Sequence, residues 1–300
     1  DLNSGAEAVE TAMKIARKWG YDVKGVPDGQ AEIITCSGNF HGRTITIISY
    51  SDSPSSKDHF GPYTPGFKQI PYGDASALEQ AITPNTVGFL FEPIQGEGGV
   101  VMPPDGYLQQ ARDICDRHQV LMIADEIQTG LGRTGKLFAC DWEGVRPDMI
   151  TIGKALSGGF YPVSAVLTDA PIMDVIKPGQ HGSTFGGNPL ACAVALEALH
   201  VLNDEGLIEN ANVMGDYLRE LLRGIDSPHI KVVRGRGLLI GVELHKNAGG
   251  ARRFCEALQQ EGLLCKETHD HIIRFAPPLV IDRDDIDWAF ERIERVLMME

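Results

Sequence analysis

Two residues in this sequence stand where they could do chemistry that neither could do alone. Asp125 ends the apolar run Val120-Leu121-Met122-Ile123-Ala124, and Lys154 follows Met149-Ile150-Thr151-Ile152-Gly153. Both runs read as buried strands. An acid at the carboxyl end of such a strand points into the crevice where open α/β sheets bind ligands. A lysine straight after a buried strand, with Gly153, Gly158 and Gly159 around it, is expected to be partly withdrawn from water, a setting that suits Schiff-base chemistry. Each residue also has a plainer reading. Asp125 would serve as a helix cap or a solvated carboxylate, and Lys154 as a surface lysine that keeps its ammonium in water.

Taken together, the amine and the carboxylate meet the needs of pyridoxal 5'-phosphate. This electron sink requires a lysine for the imine and a carboxylate to keep its pyridine nitrogen protonated. It also requires a phosphate cradle. Ser4-Gly5-Ala6-Glu7 has the grammar of a helix start, with serine at the cap and an acid three residues on. Free N–H groups and the helix dipole favour an anion there, which makes Gly5 and Ala6 phosphate-binding candidates. Ser183 and Thr184 add hydroxyls just ahead of another helix.

Two other motifs resemble phosphate loops and are set aside. Gly130-Leu131-Gly132-Arg133-Thr134-Gly135 spells GxGxxG, but Asp125 to Thr129 intervene after the strand and no convincing helix start follows Gly135. As a nucleotide-binding loop, Gly130 to Lys136 has Leu137 where a magnesium-ligating Ser or Thr belongs. No metal is expected.

The elements that must position these groups follow from hydrophobic periodicity. The first helix runs to about Trp19 and breaks at Gly20, residues 31–35 form a short buried strand, and 54–71 read as one long loop. Then come a helix (75–82), a strand (87–91), a helix (106–118), a strand (120–124) and a strand (149–152). Strands apolar on both sides and separated by helices argue an α/β fold, a mostly parallel sheet sandwiched by helices. Helices over 189–202 and 206–223 follow. Beyond Pro228 the style changes to strands (230–233, 238–244, 272–275) and helices (251–261, 284–297). The expected division is a large domain over 1–205 and a smaller α+β domain over 206–300.

A net charge of −14 argues against nucleic acid or an anionic membrane as partner, while small anions answer to local charge. The six cysteines (36, 115, 140, 192, 255 and 265) form no CxxC pair and read as buried thiols of a reducing, cytoplasmic compartment. No apolar run reaches transmembrane length. No signal peptide is read, and the opening on Asp1-Leu2-Asn3-Ser4, without an initiator methionine, is that expected of the interior of a longer protein.

The segments Asn3-Ser4-Gly5-Ala6-Glu7-Ala8, Asn39-Phe40-His41-Gly42-Arg43-Thr44, Glu92-Pro93-Ile94-Gln95-Gly96-Glu97, Asp125-Glu126-Ile127-Gln128-Thr129-Gly130, Gly153-Lys154-Ala155-Leu156-Ser157-Gly158-Gly159 and His181-Gly182-Ser183-Thr184 together resemble the class III aminotransferases, in the family's order and over essentially the whole chain. The resemblance implies the large domain of the fold type I pyridoxal-phosphate transferases and an N-terminal family segment that this chain lacks. It implies that Lys154 carries the cofactor and shuttles a proton, that Asp125 pairs with the pyridinium nitrogen and that Gln128 lies near the phenolic oxygen. Phe40 would stack on the ring, with His41 beside it where relatives often place another aromatic. Gly5 and Ala6 would bind the phosphate, with Ser183 at hand and Thr184 reaching in from a neighbouring subunit of a homodimer or higher oligomer. Arg43 and Arg274 would bind substrate carboxylates, Glu97 would mask or release Arg274, and Glu92 would help to position the site. The stretches Arg17–Tyr21, Tyr161–Val166, Cys265–Asp270 and Ile272–Leu279 resemble the members that transfer the δ-amine of ornithine to 2-oxoglutarate. Alternatives are the members that use acetylornithine and a catalytically idle protein of the same fold.

Overall fold

The computed structural model describes residues 1–299. In chain order the helices and strands are α1 (Gly5–Trp19), β1 (Glu32–Cys36), α2 (Ile45–Ile48), α3 (Pro54–Lys57), β2 (Phe67–Ile70), α4 (Ala75–Ala81), β3 (Thr86–Phe91), α5 (Tyr107–His118), β4 (Leu121–Asp125), β5 (Met149–Ile152), β6 (Ala165–Thr168), α6 (Ala170–Met173) and α7 (Pro189–Asp204). They continue as α8 (Leu207–Arg223), β7 (Ile230–Arg236), β8 (Leu239–Leu244), α9 (Ala251–Gln260), β9 (Lys266–Thr268), β10 (Ile272–Phe275) and α10 (Arg283–Leu297). Two compact units result. The first comprises Asp1–Pro93, Pro103–Gln128 and Cys140–His200; the second comprises Ile94–Met102, Thr129–Ala139 and Val201–Glu300.

The first unit is built on a six-stranded sheet in the order β2-β1-β3-β4-β5-β6. Strands β2 through β5 are mutually parallel, and β6 closes the edge antiparallel to β5. Both faces of a parallel sheet must be covered, so successive residues of one strand serve opposite cores. Ile33, Leu90 and Ile123 pack with Val9, Met13 and Ala16 of α1. Their neighbours Ile34, Phe89 and Met122 pack with Leu108, Ala111 and Cys115 of α5. Parallel pairing also brings the carboxyl ends of β1, β3, β4 and β5 to one edge, with Asp125 in register with Thr151.

The second unit holds an antiparallel sheet in the order β7-β8-β10-β9. One face carries Ile240, Val242, Ile273 and Phe275 against Leu218 and Leu222 of α8, Phe254 and Leu258 of α9, and Ile286 and Ile293 of α10. Alternation along β10 leaves Arg274 on the other face, where Ile94, Val100 and Leu239 form a small apolar cluster.

Several expectations are corrected. The stretch 54–71 is not one loop: α3 lies in it, and Phe67–Ile70 pairs with β1 as an edge strand. Of its four residues only Ile70 is buried, and the strand is framed by Gly66 and Pro71, so turn residues dominate the local pattern. The first helix does not simply stop at Gly20 but runs on through a wider turn, Gly20–Lys24, to Gly25 at φ 80°. Cys192 is exposed and Cys265 half-buried, while the other four cysteines are buried. The segment 130–135 lies in turns, with Leu131 N–H donating to Leu137 O at 2.7 Å, and only a short 3-10 helix, Ala139–Glu143, follows it instead of an α-helix starting at its end, which removes both nucleotide-loop readings. Among the described residues no helix is long and apolar enough to cross a membrane, and no group of three or more His, Cys, Asp or Glu is arranged to hold a metal.

Gly20 is buried at an ordinary helical φ of −59°, and a β-carbon there would overlap the Val87 side chain of β3. Gly20→Ala gains roughly 1 kcal/mol of helix propensity and loses about 1–3 kcal/mol to overpacking. The variant is therefore expected to be less stable in urea unfolding, and Val87→Ala in the same chain to restore part of the loss.

Candidate active site

At the carboxyl edge of the first unit's sheet, Asp125 is 5% exposed and hydrogen-bonded through both oxygens. Its Oδ2 lies 2.6 Å from His41 Nδ1, and its Oδ1 accepts from Ile127 N–H at 3.1 Å and Thr151 Oγ1–H at 3.2 Å. Thr151 reaches it because β4 and β5 are in register there. His41 arrives on the loop after β1. That loop is shaped by Asn39, whose side-chain amide donates to Cys36 O (2.6 Å) and Tyr50 O (3.1 Å), and by Gly42 at φ 134°. A β-carbon on Gly42 would press on Ala6 and Ile47, each 3.0 Å away, so this loop lies directly against the first turn of α1.

Burial depresses the His41 imidazolium, but the hydrogen bond and charge of Asp125, with the charge of Glu92, outweigh it and raise the pKa above its ordinary value. Glu92, buried beyond the end of β3, accepts from Phe40 N–H at 3.0 Å. The Arg43 guanidinium lies 5.7 Å from the centre of the Phe40 ring.

The start of α1 is closed by a capping box. Glu7 N–H donates to Ser4 Oγ (3.3 Å), while the Glu7 carboxylate accepts from Ser4 N–H (2.7 Å) and Asn3 N–H (3.0 Å). The N–H groups of Gly5 and Ala6, the first two of the helix, have no acceptor within it. Gly5 approaches the Asp125–Gln128 loop so closely that a β-carbon would sit 3.0 Å from Ile127 Cδ1. The same Ile127 side chain would lie 3.5 Å from a β-carbon on Gly153, the residue before Lys154. Ile127 is thus the packing hub between helix start, carboxylate loop and lysine strand. A lone apolar residue in the polar stretch Asp125–Thr129 was the available signal, and sequence reasoning passed over it, as it did the supporting roles of Thr151 and Asn39.

Lys154 opens a short 3-10 turn, Lys154–Ser157, at φ 40°. Left-handed backbone is uncommon for a side chain other than glycine and gathers at functional sites. The residue is exposed, contrary to the expected withdrawal from water; Gly158 and Gly159, which follow it, have no side chains to cover it. Gln128 is half-buried three residues beyond Asp125. Ser183 Oγ accepts from the Asn3 side-chain amide at 3.0 Å, which ties its loop to the α1 start, while Thr184 is exposed.

The second unit holds Glu97 and Arg274, joined by Arg274 Nη1 to Glu97 Oε1 at 2.5 Å. Glu97 rides a turn in which Gly99 and Val100 N–H both donate to Gly96 O, at 3.2 and 3.3 Å, with Val100 at φ 53°.

The family model for class-III aminotransferases matches residues 2–297. The chain belongs to that family. As a class-III aminotransferase it is a pyridoxal-phosphate enzyme, and the residues present fit the group: an amine, a carboxylate held by three donors with a further acceptor position left, a helix start packed tightly at Gly5, and a buried His41 Nε2 with no hydrogen-bond partner. The chain is 62% identical over 296 residues to the ornithine aminotransferase of Bacillus subtilis, covering 99% of this chain and 73% of that protein. Among solved structures it matches an ornithine aminotransferase from Toxoplasma gondii, described with partial occupancy of pyridoxal phosphate at its active site, with a TM-score of 0.97 and 50% identity over 99% of this chain and 71% of that one. It also matches an acetylornithine aminotransferase from Elizabethkingia anophelis, with a TM-score of 0.89 and 52% identity over 99% and 74%. These class-III relatives agree with the α/β sheet and smaller unit described above.

The raised pKa of His41 makes this aminotransferase's stability depend on pH in a definite direction. A histidine whose folded pKa lies above its unfolded value of about 6.5 contributes stability in full below that pH, and the contribution is lost as pH rises through the folded value. The stability difference between the protein and its His41→Asn variant, measured by urea unfolding from pH 6 upward, is expected to narrow as pH rises. A difference that stays flat would remove the charged His41–Asp125 pair from the account.

Proposed function

We propose that the chain is an ornithine δ-aminotransferase, moving the δ-amino group of ornithine to 2-oxoglutarate to give glutamate semialdehyde and glutamate. The observation that carries this reading is the Glu97–Arg274 ion pair at 2.5 Å. A free guanidinium suits an acceptor with two carboxylates, whereas a guanidinium covered by an acid suits a diamine with one carboxylate. One arginine that an acid on a turn covers or releases serves both. The names of the Bacillus subtilis and Toxoplasma gondii relatives support the same substrate.

Bound pyridoxal phosphate supplies an electron sink for the carbon that bears the amine. The chain supplies the rest. Lys154 Nζ would hold the cofactor and move the proton at that carbon. The Asp125 carboxylate, held by His41, Thr151 and Ile127, would keep the pyridine nitrogen protonated, and Gln128 and Phe40 would contact the ring. The Gly5 and Ala6 N–H groups would take the phosphate. Arg43 and Arg274 would orient substrate carboxylates.

The protein is further proposed to act as a homodimer or higher homo-oligomer. Helix α7 is apolar nearly all round, yet Leu190 and Leu196 are each 56% exposed, and Phe185 and Phe160 are 69% and 84% exposed. Such a surface calls for a second copy, and the exposed Thr184 beside it is free to serve a neighbour's phosphate.

In clean two-substrate kinetics the holoenzyme is expected to give parallel double-reciprocal lines, with kcat/KM for ornithine well above that for acetylornithine. Lys154→Ala is expected to lower kcat by roughly 10²–10⁴-fold and to abolish the cofactor's lysine-bound absorbance. A clear preference for acetylornithine overturns the substrate and leaves the transamination standing; intersecting lines overturn the shared-site scheme.

A further inference from the structure

We infer that Arg234 is a positioning residue that sets how tightly Glu97 covers Arg274, and so tunes the choice between monocarboxylate donor and dicarboxylate acceptor; this rests on the substrate reading above. The geometry is a row across the second unit's sheet. Arg234 of β7 pairs with Gly241 of β8, and Gly241 pairs with Arg274 of β10. Two arginines therefore flank one glycine on a single sheet face. The turn that carries Glu97 rides over that glycine: a β-carbon on Gly241 would lie 3.0 Å from Val100 Cβ and 3.2 Å from Gly99 O.

The two arginines hold the same turn from opposite sides. Arg274 takes the Glu97 carboxylate. Arg234 takes the backbone: its Nη2 and Nε donate to Gly99 O at 2.8 and 3.2 Å, and Nε donates to Val100 O at 3.0 Å. Its remaining Nη1 is paired with Glu243, which also accepts from Lys231 Nζ at 2.5 Å. The fork is thus aimed before the turn meets it. Gly99 at φ 107° and Val100 at φ 53° sit in left-handed backbone, which persists only where the surroundings over-determine it. Val100 is anchored by its apolar contacts and the ends of the turn are closed by the Gln95–Val101 backbone bridge, while Arg234 grips the Gly99 and Val100 carbonyls directly. Loosening that grip gives Glu97 more freedom to leave Arg274. A dicarboxylate then displaces it more easily, and a diamine loses its mask.

The test is a double-mutant cycle on the holoenzyme, with glutarate as an unreactive dicarboxylate followed by calorimetry. Arg234→Gln is expected to tighten glutarate binding by about five- to tenfold, to raise KM for ornithine by a similar factor, and to leave KM for 2-oxoglutarate unraised. In a Glu97→Gln background the same substitution is expected to change neither. Arg234→Lys keeps the charge toward Glu243 but not the fork, and is expected to shift glutarate binding in the same direction. Calorimetric stoichiometry reports the folded fraction, so loss of protein is not mistaken for loss of affinity. Unchanged glutarate binding, an equal rise of both KM values, or an effect that persists without Glu97 would overturn the inference. Preference for acetylornithine over ornithine would sink the substrate reading instead, and the glutarate cycle would still judge the clamp.

Discussion

A carboxylate shut away from water must find its hydrogen bonds in the chain around it. Desolvating one costs several kcal/mol, on the order recovered by two or three charge-assisted hydrogen bonds of roughly 1.5–3 kcal/mol each. Asp125 has three donors from three places: an imidazole from the loop after β1, a hydroxyl from β5 and the backbone of its own turn. Each imposes something on the fold. The β4–β5 register cannot slip without removing Thr151. The Asn39–Gly42 loop cannot open without withdrawing His41, and the turn at Ile127 cannot relax without freeing Asp125 Oδ1. The same turn seats the start of α1 through Gly5 and the approach to Lys154 through Gly153. The site's geometry is therefore a consequence of keeping one buried charge satisfied.

The second unit solves a different problem with similar economy. A short turn must present an acid to Arg274, yet a β-branched residue at φ 53° costs about 1–3 kcal/mol. Full burial of Val100 and three hydrogen bonds from Arg234 offset that cost. Glycine suits the places where the turn comes closest: on Gly99, at φ 107°, a β-carbon would strike Ile272, and on Gly241 it would crowd the turn itself.

What could be read from residues alone divides along physical lines. Strands β3, β4 and β5 are apolar on both faces and bounded by helices, so local pattern and tertiary role coincide, and Asp125 and Lys154 were visible as polar exceptions at their ends. Edge strand β2 needs only one partner and carries no long apolar signature, so its framing by Gly66 and Pro71 hid it. Antiparallel β6 was equally silent. Its pairing with β5 depends on a long connection that no local window samples. The exposure of Lys154 was not legible because burial is decided by what folds over a residue rather than by the strand before it. The Glu97–Arg274 pairing came from family likeness. The row Arg234–Gly241–Arg274 came from neither likeness nor pattern, since β7 and β8 pair as a hairpin but the register of β10 against β8, 33 residues on, is set by packing.

A chain carrying a net charge of −14 nevertheless handles carboxylates, and the two facts do not conflict. Charges farther than about 8 Å are largely screened at physiological ionic strength, so the bulk surface contributes little once an anion has arrived. What decides binding is whether a guanidinium fork is vacant. If Arg274 stood bare, its charge would be costly to keep partly buried and would attract any anion. Covered by Glu97, it exchanges one carboxylate for another, with the number of charge-assisted bonds conserved. The free-energy difference between the covered and substrate-bound states then reduces to the cost of moving Glu97. That cost is a property of the turn beneath it, which places control of substrate choice in backbone contacts that touch no substrate at all.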